Sequence, residues 1–178
     1  MATTGRISHV NETARAAGCA PGQTSMECAH AMRSAPGSTG TPPPLDEARF
    51  FIRDTAGAPR IIGCDSVSLV GPDDIGDIVI TASHGALLKE APSWGNRPDV
   101  LAAVFNDAGS DCPTRLPDLD ERGIAGATVT AESARIGDAR STYEDGIISH
   151  VNETARISGA TPGTTCREFV EMISAAKP

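Results

Sequence analysis

Residues 77–83 read DIVITAS, a run that is almost continuously apolar and rich in β-branched side chains. Two runs of the same kind follow, DVLAAVFN at 99–106 and IAGATVTA at 124–131. Strands buried on both faces have this composition, and such strands occur mainly in parallel sheets. Polar segments separate the runs, so we expect an α/β fold: a small, mostly parallel sheet covered by helices and joined by right-handed crossovers.

The segments around these runs predict the remaining elements of the sheet domain. HGALLKEA (84–91) predicts a short helix, and TRLPDLDERG (114–123) predicts a helix that ends at its final glycine. EARFFIRD (47–54) and APRIIGCDS (58–66) flank a glycine-containing turn and predict an N-terminal β-hairpin. We expect residues 66–70 to add a further short strand.

The chain contains an internal repeat. Residues 5–34 align without gaps on residues 146–175, with 15 of 30 positions identical, and the octet at 8–15 recurs unchanged at 149–156. The first copy is interpreted as the tail of a lost upstream duplicate, or as an extended N-terminus that imitates the C-terminal hairpin. We expect it to pack on its counterpart, in the same subunit or in a partner, so that the repeated hairpins support a homo-oligomer. Disorder of the first copy is the alternative.

The repeated unit predicts a helix, a turn and a second helix. In the second copy we expect a long helix from about Thr142, because apolar residues at 147, 148, 151 and 155 recur at helical spacing. Gly159 fits a helix C-terminus, and a second helix follows the PG pair at 162–163. This second helix has a larger apolar face in the C-terminal copy (Phe169, Val170, Met172, Ile173) than in the first (Cys28, Ala29, Ala31, Met32).

Composition divides the chain into three parts. Residues 1–33 predict a helical hairpin that repeats the C-terminal one. Residues 34–44 read SAPGSTGTPPP and predict a linker, extended where it is rich in proline and flexible where it is rich in glycine and serine. Residues 45–178 then form the α/β domain.

The overall composition excludes several classes of partner. A formal net charge of −8 in 178 residues disfavours binding to the phosphates of nucleic acids. No apolar run approaches the length of a membrane span, and the N-terminal residues lack the basic-then-apolar pattern of a signal peptide, so we expect no membrane partner. Five cysteines without a CxxC pair fit a reducing cytoplasm. Thirteen arginines beside two lysines indicate a GC-rich bacterial gene.

A polar cluster follows each of the three buried strands. The clusters are residues 81–85, 106–110 and 132–138. Ligands of open parallel sheets bind at the edge where the carboxyl ends of the strands meet. We therefore expect the three clusters to form one site.

Within this site, His84, Asp107 and Ser133 are the candidate catalytic residues. The imidazole of His84 is the natural general acid or base near neutral pH. Asp107 would orient it, or act as the base itself if it is buried, and Ser133 would be a hydrogen-bonding group or a nucleophile.

The candidate substrate-binding residues surround these three. The planar guanidinium of Arg135 suits a carboxylate or a phosphate, and glycines allow backbone N–H groups to approach a ligand or an oxyanion. The full set is Ser83, Gly85, Asn106, Gly109, Arg135 and Asp138.

Several of these residues also have a purely structural interpretation. Asn106 and Asp107 are equally typical of a helix cap or an Asx turn. Arg135 and Asp138 would form a local ion pair, and a histidine after a strand is commonly a hydrogen-bonded structural residue.

No pattern in the sequence predicts a metal or a cofactor. The acidic segment GPDDIGD at 71–77 fits no spaced metal motif and predicts a solvated loop. Fingerprints of nucleotide-binding proteins, zinc proteases and α/β-hydrolases are absent. The sequence therefore predicts no metal site and no cofactor.

Four motifs carry a resemblance to a known family. ITASHG, VFNDAG, SARIGDARSTYEDG and ISHVN, in this order, resemble an uncharacterised family of small bacterial α/β proteins over about residues 60–178. No reaction is established for that family. The resemblance therefore implies that these clusters belong together and assigns no catalytic residue, and the N-terminal copy of the repeat departs from the family's pattern.

These observations predict a small cytoplasmic α/β enzyme that acts on a polar or anionic small molecule. Hydrolysis of an amide-like bond is the most economical reaction, because these groups need no cofactor for it. The alternative is a non-catalytic ligand-binding module or an accessory subunit of a larger enzyme.

Overall fold

A computed structural model describes residues 4–37, 40–41, 44, 46–87 and 98–176. Contacts between Cα atoms divide the chain into two compact units, Met1–Pro44 and Leu45–Pro178. Among the residues described, no helix has the length and apolar character that crossing a membrane requires.

The second unit is built on one six-stranded sheet whose strands lie in sequence order. The four central strands are parallel, and an antiparallel strand closes each edge. This confirms the predicted mostly parallel sheet and its N-terminal hairpin. The strands are β1 Arg49–Arg53, β2 Ile61–Cys64, β3 Ile78–His84, β4 Ala102–Asn106, β5 Ala125–Val129 and β6 Ile148–Val151.

The described residues contain six α-helices. Two lie in the first unit, α1 Glu12–Ala16 and α2 Ser25–Arg33. Four lie in the second unit, α3 Arg115–Asp120, α4 Ala139–Glu144, α5 Glu153–Ile157 and α6 Cys166–Ala175.

Both faces of the sheet are covered, because successive strand residues point to opposite sides. On one face, strand residues such as Ile78 and Ile80 pack with Phe169 and Val170 of α6. On the other, Val79 and its neighbours pack with α3. The side chains of Phe105 and Phe169 are both fully buried, one in each layer.

The predicted long helix from Thr142 is wrong. The chain leaves α4 after Glu144, and Ile148–Val151 pairs antiparallel with β5. Gly146 permits this turn, since a Cβ there would collide with the carbonyl oxygen of Thr142 and lie 2.7 Å from Val129 Cγ1. The apolar residues at 147, 148 and 151 are too few to distinguish a helix from a strand by spacing, and Ala155 belongs to α5. Pairing with β6 removes an otherwise open edge of β5.

The structure also differs from the predictions for two short segments. The predicted strand at 66–70 is a 3-10 helix, Val67–Leu69, because the Ser66 side chain accepts the Ser68 N–H (3.3 Å) and caps the turn. In the predicted helix at 84–91, His84 is the last residue of β3 and residues 85–87 are not helical. Residues 88–91 lie outside the described residues.

The acidic segment before β3 is not a solvated loop. Asp74 is fully buried and pairs with Arg49 at 2.5 Å. Asp77 is 6 % exposed, and its carboxylate accepts the Nε–H of Arg60 at 2.8 Å. Each charge is paired because an isolated carboxylate is costly to bury.

The two copies of the repeat share their local hydrogen bonds. Asn11 and Asn152 cap the first helix of each copy, accepting N–H groups of Ala14 (2.8 Å) and Ala155 (3.0 Å). Capping boxes start α2 and α6 in the same way. The copies differ in their surroundings, because only the second copy adds a strand to the sheet.

Candidate functional site

The carboxyl ends of β3, β4 and β5 lie side by side. His84 pairs with Asn106, and Asn106 pairs with Val129. Beyond the strands, Asp107 donates its N–H to the Val129 carbonyl oxygen (2.9 Å), and Gly137 donates to that of Ala82 (3.1 Å). The three polar clusters are therefore joined at one edge of the sheet.

Asp107 is the buried carboxylate of this edge, with 8 % of its surface exposed. Its Oδ1 accepts the N–H groups of Gly109 (2.8 Å) and Ala131 (3.0 Å). Its Oδ2 has no hydrogen-bond partner within the described ranges. The turn that holds it includes Ala108 in the left-handed region, at φ 54°, a conformation that non-glycine residues seldom adopt.

His84 is exposed at the end of β3. Its Nδ1 accepts the N–H of Ala86 at 3.3 Å. A ring nitrogen that accepts a hydrogen bond carries no proton, so this contact assigns the ring proton to Nε2. Nε2–H is then available as a hydrogen-bond donor.

Asn106 joins two loops of the edge. Its side chain is fully buried, donates from Nδ2 to the Ala134 carbonyl oxygen (2.9 Å) and accepts the Ala108 N–H at Oδ1 (2.8 Å). Both functional atoms of Asn106 are thereby used to hold the loops that follow β4 and β5.

The two predicted serines are bonded to the backbone. Ser83 Oγ accepts the N–H of Val67 (2.9 Å). Ser133 Oγ donates to the Thr130 carbonyl oxygen (3.0 Å) and accepts the Ile147 N–H (2.9 Å). These contacts do not support Ser133 as a nucleophile, and that role stays a prediction.

Arg135 and Asp138 face each other across the start of α4. Asp138 Oδ1 accepts the Ser141 N–H (3.0 Å) as the helix N-cap, and its Oδ2 lies 3.4 Å from Arg135 Nη1. The Arg135 side chain is 80 % exposed. The guanidinium is thus held by a long, local ion pair at the surface.

The backbone N–H groups of the two predicted glycines are already used within the protein. Gly85 donates to the Asn106 carbonyl oxygen at 2.8 Å, and Gly109 donates to Asp107. Gly109 also has a φ of 71°, in the region that favours glycine.

Sequence reasoning missed Asp65 and Arg115. Asp65 follows β2 and accepts the N–H groups of Ala48 (2.8 Å) and Ala139 (2.9 Å), so it joins this edge to β1 and α4. Arg115 is buried on α3, donates to the Ala86 carbonyl oxygen (3.1 Å) and lies over the Phe105 ring. Asp65 could have been found, because it follows a strand of the same sheet. Arg115 gave no signal beyond its place in a helix.

Among the described residues, no three His, Cys, Asp or Glu side chains are grouped as metal ligands. Comparisons with protein-family models, curated proteins and solved structures found no match to this chain. The resemblance to a family of small bacterial proteins therefore stays a prediction.

Proposed function

We propose that the carboxyl edge of the sheet is the active site of a small cytoplasmic enzyme. It hydrolyses an amide-like bond in a polar or anionic metabolite without a cofactor. The observation that carries this proposal is the buried carboxylate of Asp107, with one oxygen fixed by two backbone N–H groups and the other unbonded within the described ranges. Such an oxygen can accept a proton or a hydrogen bond from a ligand.

His84 supplies the complementary group from the neighbouring strand. In the tautomer favoured by the Ala86 contact, Nε2–H donates to the carbonyl oxygen of the substrate. This bond strengthens as negative charge develops on that oxygen, which lowers the barrier to attack.

In the proposed reaction, a water molecule attacks the amide carbon while Asp107 accepts one of its protons. The carbonyl oxygen takes up the negative charge and is stabilised by His84. As the intermediate collapses, the C–N bond breaks and Asp107 returns its proton to the leaving nitrogen. The products are an acid and an amine, and no other reactant is consumed.

A non-catalytic ligand-binding module, or an accessory subunit of a larger enzyme, is the second candidate. It is supported by the use of Ser83, Asn106, Ser133 and Asp138 in backbone hydrogen bonds. Such bonds hold the loops at the carboxyl edge of the sheet in a fixed position for a ligand. Binding a ligand requires neither a base nor a nucleophile.

The test uses the full chain with a panel of N-acyl and ureido amino acids, whose cleavage is followed by mass spectrometry. Asp107→Asn keeps an oxygen that can accept the two N–H groups but removes the base, so turnover falls about 10²–10⁴-fold. Asp111→Asn, an exposed carboxylate on the same loop, leaves turnover unchanged. His84→Gln lowers turnover without changing the melting temperature.

The outcomes separate the two candidates. Turnover that survives Asp107→Asn contradicts the role of Asp107 as the base, and a wild-type chain that cleaves none of the panel compounds contradicts the proposed hydrolysis. A rise in melting temperature with one of the panel compounds, without any cleavage, favours the ligand-binding module instead.

The N-terminal copy of the repeat supports a homo-oligomer as part of this proposal. It carries an apolar groove of about 480 Å³ whose lining includes Ile7, Val10, Ala14, Cys28 and Met32. The equivalent residues of the second copy pack in the core of the sheet domain. A second copy of the chain would bury the exposed groove, as the sheet core buries the equivalent residues of the second copy of the repeat.

A further inference from the structure

Two cysteines of the first unit are in contact. Cys19, which follows α1, is 2 % exposed, and Cys28, on α2, is 5 % exposed. Their Sγ atoms lie 2.8 Å apart, and Cys19 Sγ also lies 3.6 Å from the Cys28 carbonyl oxygen. Because the sulfurs of a disulfide lie about 2.0 Å apart, a small movement would suffice to bond them.

The internal repeat shows what these positions hold elsewhere in the chain. Cys19 and Cys28 align with Ala160 and Phe169, which are fully buried members of the sheet core. The backbone at the turn is unchanged: Cys19 donates its N–H to Ala14 (2.9 Å), as Ala160 does to Ala155 (3.1 Å). The first copy thus keeps the fold of the turn and carries two thiols where the second copy carries an apolar pair.

The first unit needs an additional source of stability. In the part of it that the structure describes, Cys19 and Cys28 are the only hydrophobic residues classed as buried. Units of this size rarely build a sufficient apolar core and commonly rely on disulfides or metals. A covalent link between the loop and α2 would meet that need.

We propose that Cys19 and Cys28 form a reversible disulfide that clamps α2 to the turn after α1. The oxidant is a low-molecular-weight disulfide such as glutathione disulfide. The Cys28 thiolate attacks one sulfur of glutathione disulfide and releases the first glutathione thiol. The Cys19 thiolate then attacks the Cys28 sulfur, the second glutathione leaves, and the two protons pass to the two glutathione thiols. The protein pair is oxidised by two electrons and glutathione disulfide is reduced by two.

The three remaining cysteines serve as internal controls. Burial raises the pKa of the Cys64 thiol to about 11 and that of Cys166 to about 12. Both stay protonated near neutral pH, which slows their reaction because the thiolate is the reactive form. The hydrogen bond from Cys28 and burial also raise the pKa of Cys19, so the pair differs from these two controls in the 2.8 Å separation of its sulfurs rather than in protonation. Cys112 is exposed and measures the reactivity of an isolated thiol in the same chain.

The test equilibrates the full chain in glutathione buffers, then denatures, alkylates and digests it with trypsin. The tryptic peptide 16–33 contains Cys19 and Cys28, while each other cysteine lies on a separate peptide. From oxidised protein we expect this peptide unalkylated and lighter by two hydrogen atoms. From reduced protein we expect it alkylated twice. Cys112→Ser leaves this result unchanged, and Cys28→Ser abolishes the link.

A doubly alkylated 16–33 peptide after oxidation would overturn the proposal, as would links to any other peptide. The wild-type chain alone decides this, so the result does not depend on the folding of a variant.

A second measurement tests the clamp itself. Trypsin cleavage of the native chain after Arg15, on α1, is expected to slow by about tenfold or more on oxidation, because the link limits local opening. Equal rates in the oxidised and reduced chain contradict a clamping role. Cys28→Ser, treated with the same buffers, is expected to be cleaved at the rate of the reduced protein.

Discussion

Gly85 shows how one residue joins the packing of the sheet to the candidate site. A Cβ at this position would lie 2.8 Å from Thr128 Cγ2 and 3.2 Å from Pro113 Cβ. Its carbonyl oxygen accepts the N–H of Arg115 at 3.0 Å. Glycine is therefore needed here for close approach between neighbouring chain segments, directly after His84.

We expect Gly85→Ala to lower the free energy of unfolding by about 1–3 kcal/mol, because the added methyl group overpacks this contact. Gly71→Ala is the matched control, since nothing lies within 4 Å of its added Cβ and its φ of −119° suits alanine. The control should stay within about 0.5 kcal/mol of wild type. Urea unfolding of both variants measures the difference, and equal losses would contradict the packing argument.

The position of the candidate site could be predicted, whereas the role of most of its side chains could not. His84 and Asn106 end buried strands and Asp107 follows one, and parallel strands bring such residues to one edge. The N-cap bond of Asp138 and its ion pair with Arg135 are local, whereas the bond from the Ile147 N–H to Ser133 depends on the path of the chain between β5 and β6. No local pattern encodes that path.

The repeated octet places the same eight residues in two different surroundings. A comparison of the two copies therefore distinguishes contacts set by the local sequence from contacts made with the sheet. Asn152 is 5 % exposed, accepts the Gly126 N–H (2.8 Å) besides its capping bond, and donates to the Ile124 carbonyl oxygen (2.8 Å). Asn11, its counterpart, is exposed, and within the part of the chain that the structure describes its side chain makes the capping bond only. The same eight residues therefore cap a helix in both places and anchor a sheet in one.

We expect Asn152→Ala to cost about 3 kcal/mol of unfolding free energy, the sum of a lost cap and of buried strand groups left unbonded. Asn11→Ala removes the equivalent cap in the first unit, so the unfolding transition of the sheet domain should not move. Circular dichroism during urea unfolding compares the two variants. A similar loss in both would show that the cap, rather than the sheet contacts, dominates.

The capping box at the start of α6 predicts a pH dependence. The N–H and the hydroxyl of Thr165 donate to the Glu168 carboxylate (2.8 and 2.9 Å) and hold its pKa below the ordinary value of 4.5. Because the folded-state pKa is lowered, this stabilisation is present above 4.5 and is lost as the pH falls through the folded-state value.

Thr165→Ala is expected to move the pKa of Glu168 part of the way back to its ordinary value, since the hydroxyl is removed and the backbone N–H remains. Carbon-13 NMR of the glutamate carboxyl groups follows both titrations. Glu27, whose pKa is lowered in the same way by Thr24, is the control and should titrate unchanged. An unmoved Glu168 would mean that the hydroxyl contributes nothing.

Elements with a long run of distinctive composition could be predicted from the sequence, whereas short elements could not. β3, β4 and β5 have continuous apolar runs that only a doubly covered sheet explains. β6 has four residues, too few to distinguish a strand from a helix by spacing. Its pairing depends on the open edge of β5, which is a property of the assembled sheet.

For the whole molecule, the exposed groove of the first unit predicts self-association. We expect sedimentation velocity to show an oligomer that Val10→Asp dissociates, because a carboxylate in the apolar groove would lose its hydration on burial. Ile157→Asp is the control, since Ile157 lies on the second copy and is 75 % exposed. A wild-type monomer at all concentrations, or an unchanged oligomer in Val10→Asp, would contradict this role of the groove.

The duplicated octet also allows unfolding of the sheet to be detected with an antibody. Six of residues 8–15 are exposed, whereas only two of residues 149–156 are exposed, because Asn152 and Ala155 are buried and the other four residues are half-buried within the sheet domain. An antibody raised against this eight-residue peptide should find one epitope on the native monomer, in which the groove is uncovered, and two after denaturation. The second epitope would appear only as the edge strand detaches, so its appearance reports unfolding of the sheet without any label or substitution.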